Sequence, residues 1–188
     1  MFENSFPKYL EKDLNVVLKL LPTKTHNNVR DAISDNSVTY KVNGKNITFP
    51  YRLYLNDVSN TVINQLSNTQ RMILHCIYTR SCDGFVRESH IKRLLCMNYE
   101  EWAIPYILKL SDEYIVEILE VIYIMLNYQD TNRYKKICLE NKTLFCKSYN
   151  RMISYWNEYY RIQHPHFKDY IGRKLFRECF GYSRSLEK

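Results

Sequence analysis

The sequence predicts a mainly α protein: an irregular antiparallel multi-helix stack or bundle with a small peripheral β-hairpin. Three observations predict it. Only four glycines and five prolines occur in 188 residues, which favours long regular elements over a loop-rich barrel. Apolar residues recur at helical spacing through most of the chain. A single Asn-Gly pair, Asn43-Gly44, stands between two β-prone runs, where a type I′ turn needs positive φ at both central residues.

Taken in order, Leu10, Leu14, Val17, Leu18 and Leu21 predict a first helix over Phe6 to Leu21, stopped by Pro22. Thr23 to Ser37 reads as a polar connection with one short helical turn around Val29 to Ile33. Val38–Val42 and Lys45–Phe49 form the hairpin, and Tyr51–Leu55 is a candidate third extended piece. Asn56 or Asp57 is the expected cap of a helix through Val58, Val62, Ile63 and Leu66. Ser67 or Asn68 starts the next, over Gln70 to Arg80, and Cys82-Asp83-Gly84 turns the chain into a helix over Phe85 to Met97. Trp102 to Leu110 fits a short helix that tolerates Pro105 in its first turn.

The most amphipathic segment follows, from about Ser111 to Asn127, with Ser111 or Asp112 as its cap. Ile115, Ile118, Leu119, Ile122, Met125 and Leu126 supply its apolar stripe. Val116, Val121 and Ile124 widen that stripe, which implies burial against more than one neighbour. Beyond it lie helical patterns through Tyr134 to Ile162, a break at His164-Pro165-His166, and a last pattern from Phe167 to Cys179 that stops near Gly181. Residues 1–55, a helix plus β-ribbon, are expected to pack on a helical domain formed by residues 56–188.

Charge is unevenly spread within the net +7: residues 100–130 carry −6 and residues 131–188 carry +8. The middle can therefore present an acidic face while the basic balance resides at the C-terminal end. No run of eighteen apolar residues exists and the opening Met1 to Pro7 lacks a signal core, so a cytoplasmic protein with no membrane partner is expected. Most of the six cysteines sit among apolar residues, where a thiol behaves as a small core side chain rather than half of a disulfide.

Candidate chemistry is sparse. His75, Cys76, Cys82, His90 and Cys96 are suitable zinc ligands by type, but their spacing is not that of a compact zinc knuckle, and packing is the expected role. His164 and His166 lack an identifiable nucleophile and oxyanion partner. Glu113, Glu117 and Glu120 fall near one helical face, as an acidic contact for a basic partner. Arg161, Lys168, Arg173, Lys174, Arg177 and Arg184, interleaved with Tyr159, Tyr160, Tyr170 and Tyr182, are the best nucleic-acid candidates. The ribbon, with Tyr40, Lys41 and Lys45, offers an edge to which a partner strand can add. Phosphate-loop, dinucleotide, kinase and hydrolase-elbow motifs are absent.

Asp83-Gly84-Phe85-Val86-Arg87, followed by Ile91 and Leu94-Leu95, resembles the second-helix pattern of HEAT-like repeats, with His90 where that family carries a small residue. The resemblance implies stacked helical pairs that bind proteins or sometimes nucleic acids. The leading expectation is a non-enzymatic protein-interaction module without cofactor, of the inhibitor or immunity type, whose partner is another protein such as a toxin or effector. Its first contact candidates are Glu113, Glu117, Glu120, Tyr40, Lys41 and Lys45. A nucleic-acid-binding module using the basic C-terminal region is the alternative, and a metal-dependent enzyme stands third.

Overall fold

A computed structural model describes residue 2, residues 4–22, residue 34 and residues 36–187; the short helical turn expected around Val29 to Ile33 lies outside them. Among the described residues the fold is mainly α with one small antiparallel hairpin, and no helix is long and apolar enough to cross a membrane. The chain divides into two compact units, Met1–Ala103 and Ile104–Lys188. Residue 55, the expected domain boundary, falls inside the first of them.

The first unit opens with a 3-10 turn, Lys8–Leu10, running into α1, Glu11–Leu20. Leu10, Leu14 and Val17 form its buried stripe. Strands β1, Ser37–Val42, and β2, Lys45–Pro50, pair in antiparallel register from Ser37↔Pro50 to Val42↔Lys45. The turn between them carries positive φ at Asn43 and Gly44, 50° and 78°, as the Asn-Gly pair requires. Val38, Tyr40, Val42, Ile47 and Phe49 face the core, following the two-residue alternation of a strand. Thr48 N–H donates to the Asn4 carbonyl at 2.8 Å, and the Ser5 hydroxyl donates to the Thr48 carbonyl at 2.7 Å. The third extended piece reduces to a single parallel bridge, Leu53 with Ser81.

Helix α2, Asn60–Asn64, is capped by Ser59 rather than Asn56 or Asp57. Helix α3, Asn68–Tyr78, begins with a full capping box between Ser67 and Gln70, two backbone donors being satisfied reciprocally. Asp83 caps α4, Gly84–Leu95, accepting from the N–H groups of Phe85 and Val86 at 2.8 and 3.4 Å. Helices α3 and α4 pack on each other, and α1 packs on α3. Residues 51–56 are tied to these helices by hydrogen bonds to their backbone groups, from backbone and side chains alike. Leu53 exchanges bonds with the Arg80 carbonyl and the Cys82 N–H, Arg80 Nη2 donates to the Tyr51 carbonyl, and the Tyr78 hydroxyl donates to the Asn56 carbonyl.

In the second unit, α5 covers Ile104–Leu110 and α6 covers Val116–Leu126. The amphipathic helix is thus shorter than its pattern. Ile115 is its N-cap and no side chain caps it, because the expected caps are engaged elsewhere. The Ser111 hydroxyl donates to the Leu108 carbonyl. Asp112 holds Lys109 Nζ at 2.5 Å, the Ser148 hydroxyl at 3.1 Å and Arg151 Nη1 at 3.1 Å. Ile118, Leu119, Ile122 and Leu126 are buried as the spacing demands, whereas Ile124 is 56% exposed, so the widened stripe is not wholly covered.

Helices α7, Asn132–Glu140, and α8, Lys142–Tyr155, follow almost without a break. A π-helical turn, Trp156–Tyr160, extends α8. Helix α9, Ile171–Lys174, continues into a second π-helical turn, Leu175–Cys179, and both pack on α6. An aromatic core joins them: Tyr149 stacks on Tyr182 with centroids 3.5 Å apart, Phe145 on Phe176 at 5.4 Å, and Tyr134 on Phe180 at 5.8 Å.

Candidate functional site

The ribbon and acidic candidates are only partly available for contact. Tyr40 is 3% exposed and stacked on Phe49, because strand alternation turns it inward beside Val38 and Val42; Lys41 and Lys45 are on the exposed side. Glu113 is 2% exposed. It precedes α6 rather than belonging to it, so it does not share a helical face with Glu117 and Glu120, both exposed. Tyr40 and Glu113 therefore drop out as surface contacts.

Of the basic candidates, Arg161, Lys168, Arg177 and Arg184 are exposed, and Arg173 and Lys174 are half-buried. Arg161 Nη1 donates to Asn157 Oδ1 at 3.2 Å. Arg173 Nη1 donates to the Lys168 carbonyl at 3.1 Å, and its guanidinium lies 5.8 Å from the Phe167 ring centroid.

Two constellations merit a chemical reading. The first lies in the Met1–Ala103 unit. His75 and His90 face each other through their Nδ1 atoms at 2.9 Å, and His90 Nε2 meets Asp57 Oδ1 at 2.9 Å. With both rings neutral, His90 donates to the carboxylate and His75 donates to His90, which fixes one tautomer on each ring. Tyr78 stacks on His90 at 4.7 Å. Burial pushes the His75 imidazole down to about 3, with the positive charges of His90, Arg93 and Arg71 adding to it. His90 is also lowered, chiefly by burial, against the opposing pull of Asp57. The zinc set is not assembled around this pair: Cys76 is buried while Cys82 and Cys96 are exposed, and no group of three ligating side chains gathers among the described residues. The pair is a neutral, desolvated relay suited to holding α3 against α4.

The second constellation is a tyrosine surface in the Ile104–Lys188 unit. Tyr114, Tyr155 and Tyr159 form a triangle with centroid separations of 6.0, 6.1 and 6.1 Å and interplanar angles of 69°, 50° and 33°. Tyr114 is 48% and Tyr159 is 56% exposed. Tyr160 anchors the triangle: its hydroxyl donates to the Tyr114 carbonyl at 2.6 Å and accepts from the Val116 N–H at 3.3 Å. That bond ties the π-helical turn to the start of α6. Burial raises the Tyr160 phenol, and the negative charges of Glu117 and Glu120, both exposed, raise it further. Glu158, on the π-helical turn itself, is exposed as well.

Sequence reasoning named Tyr159 and Tyr160 but not Tyr114 or Tyr155. Tyr155 and Tyr159, at i and i+4, share a helical face, but their meeting with Tyr114 is a tertiary contact that local spacing does not encode. Asp57 was missed as the partner of His90 because it resembled a helix cap. No protein-family model matches the chain, and no curated protein sequence or solved structure matches it, so what the surface does has to be read from its own residues.

Proposed function

We propose that the chain is a non-enzymatic, cytoplasmic protein-interaction module, of the inhibitor or immunity type, that binds its partner through the tyrosine surface of the second unit. The single observation that carries this is the exposure of Tyr114 and Tyr159 within a cluster of rings already in mutual contact. A folded protein leaves large rings in water at a cost, and tyrosine is a favoured hot-spot residue because it buries wide area while losing little side-chain freedom. Pre-ordered contact between the rings lowers the entropy lost on binding.

The mixed charge favours a protein over a nucleic acid. A phosphate backbone selects a surface of one sign, whereas here the negative charges of Glu117 and Glu120 act on Tyr160 while Glu158 and Arg161 flank Tyr159-Tyr160 in the sequence. Carboxylates at that position repel a polyanion and suit a partner with basic side chains.

The test is affinity capture with mass spectrometry, run in parallel on the wild-type chain and the Tyr114→Ser/Tyr159→Ser variant, followed by titration of each purified partner. The expected result is a partner whose Kd rises about tenfold or more in the variant. A partner that binds both proteins equally, or reproducible absence of any partner, overturns the proposal. Tight binding of labelled RNA or DNA with a steep loss on added salt would favour the nucleic-acid reading instead.

A further inference from the structure

Helices α3 and α4 carry two arginines that flank the histidine contact. Arg71 and His75 stand at i and i+4 on α3, and His90 and Arg93 at i and i+3 on α4, spacings that place each arginine on the same helical face as its histidine. The two helices pack on each other and meet through the two imidazoles. The connection 79–83 joins the end of α3 to the start of α4, so both arginines lie on the side of the histidine contact away from it. Axes of packed helices run about 8–10 Å apart, a gap that two arginine side chains span from its two sides. Both charges reach one ring: after burial and His90, Arg93 and Arg71 each lower the His75 imidazole.

What these guanidiniums lack is a counter-charge. Among the described residues neither has a hydrogen-bond acceptor or an ion-pair partner, and Arg71 Nε is buried without one. Both side chains are half-buried, so water screens them incompletely. Four carboxylates of the same unit are engaged elsewhere: Asp57 with His90, Asp13 with Gln70, Asp83 with the first turn of α4 and Glu88 with Lys92. A desolvated N–H without an acceptor costs about as much as a lost hydrogen bond, and two like charges near one ring add repulsion. A dianion relieves both. Arginine suits the task, because its planar fork gives two parallel N–H···O bonds to a carboxylate or phosphate. Two such forks exceed the two oxygens of one carboxylate, whereas a phosphate monoester offers three oxygens and roughly −1.5 to −2 charge at pH 7.

We infer that Arg71 and Arg93 form a phosphate-binding clasp between α3 and α4, which takes a phosphate dianion, free or as the terminal monoester of a small molecule. The clasp belongs to the Met1–Ala103 unit and stands or falls independently of the tyrosine surface. Arg71 supplies the desolvated Nε–H and Arg93 the facing guanidinium. The neutral contact between His75 and His90 holds the two arginine-bearing faces together.

The test titrates sodium phosphate, at pH about 7 and at constant ionic strength made up with chloride, into the full-length protein carrying isotope-labelled arginine. The Arg71 and Arg93 Nε–Hε resonances are followed by NMR, with acetate as the monoanionic comparison and glycerol 3-phosphate as the monoester. Saturable shifts of both resonances are expected with phosphate, at a Kd on the order of 1 mM, and binding of acetate at least about tenfold weaker. Glycerol 3-phosphate binding as tightly as phosphate identifies a monoester site, and binding of phosphate alone identifies a free-phosphate site. Arg71→Met and Arg93→Met, which keep an apolar stem, should each weaken phosphate about tenfold. Lys12→Met, which removes one exposed charge from the same unit, should change it by less than about twofold. Absence of saturation, equal affinity for acetate, or equal weakening by Lys12→Met and the two arginine variants overturns the clasp. The wild-type titration decides by itself should either arginine variant not fold.

Discussion

Gly172 shows how a single missing methyl group shapes the second unit. A Cβ placed there would come within 2.7 Å of Tyr170 Cε1 and 2.9 Å of Met152 Cγ, and both of those side chains are buried. Two effects oppose each other in Gly172→Ala. Helix propensity gains up to about 1 kcal/mol, whereas overpacking against a rigid ring costs about 1–3 kcal/mol. The ring has little room, because Tyr170 also stacks on Tyr160 at 5.8 Å. The expected net result is destabilisation by roughly 1–2 kcal/mol, read from the urea midpoint; a more stable variant would show that Met152 and Tyr170 yield freely. Nothing in the sequence marks this glycine as special, since it sits inside a helical pattern. Residue-scale roles of this kind are the least legible in the sequence: Tyr40 and Glu113 have the chemistry of surface contacts but are buried, and Asp57 has the chemistry of a helix cap but meets His90.

At the scale of elements the local chemistry was far more legible. The Asn43-Gly44 turn, the Ser67–Gln70 capping box and the Asp83 cap stand where side-chain hydrogen bonding and positive φ place them. Each depends on residues within three positions of one another, so no tertiary knowledge is needed. Asp83→Ala removes the acceptor for the Phe85 and Val86 N–H groups and should cost about 1 kcal/mol, while Asp83→Asn, which keeps a carbonyl acceptor, should cost only a few tenths. Chemical denaturation of the two variants checks this, and equal loss in both would mean that the negative charge rather than the hydrogen bond matters. The start of α6 went the other way. Ser111 and Asp112 have cap chemistry, but Asp112 finds three donors, Lys109, Ser148 and Arg151, and a buried carboxylate with three donors outcompetes the weaker gain of a cap. Two of those donors lie on α8, a tertiary contact that the local sequence does not encode. The same reason hid the tyrosine surface, which needs Tyr114 and α8 to meet.

For the molecule as a whole, the histidine relay makes stability a function of pH. In the folded state His75 and His90 are both lowered below the ordinary histidine value, His75 to about 3. Asp57 opposes the shift at His90, while Arg71 and Arg93 reinforce it at His75 and Arg93 at His90. Protonating His90, whose Nε2 already carries the proton given to Asp57, also adds a proton at Nδ1 and so places an N–H against the His75 N–H across the 2.9 Å Nδ1–Nδ1 contact. The folded state therefore binds fewer protons than the unfolded chain once pH falls below about 6.5. The relay's contribution is complete above that pH and declines as pH drops toward 3, by up to about 1.4 kcal/mol per pH unit for each imidazole that titrates. His75→Gln keeps an N–H donor for His90 and removes one titrating group. Urea unfolding at a series of pH values between 6.5 and 4.5 should thus give a shallower decline in the variant than in the wild type, with the two curves approaching each other toward acid. Parallel curves would show that the imidazole at position 75 is not among the groups that link folding to pH.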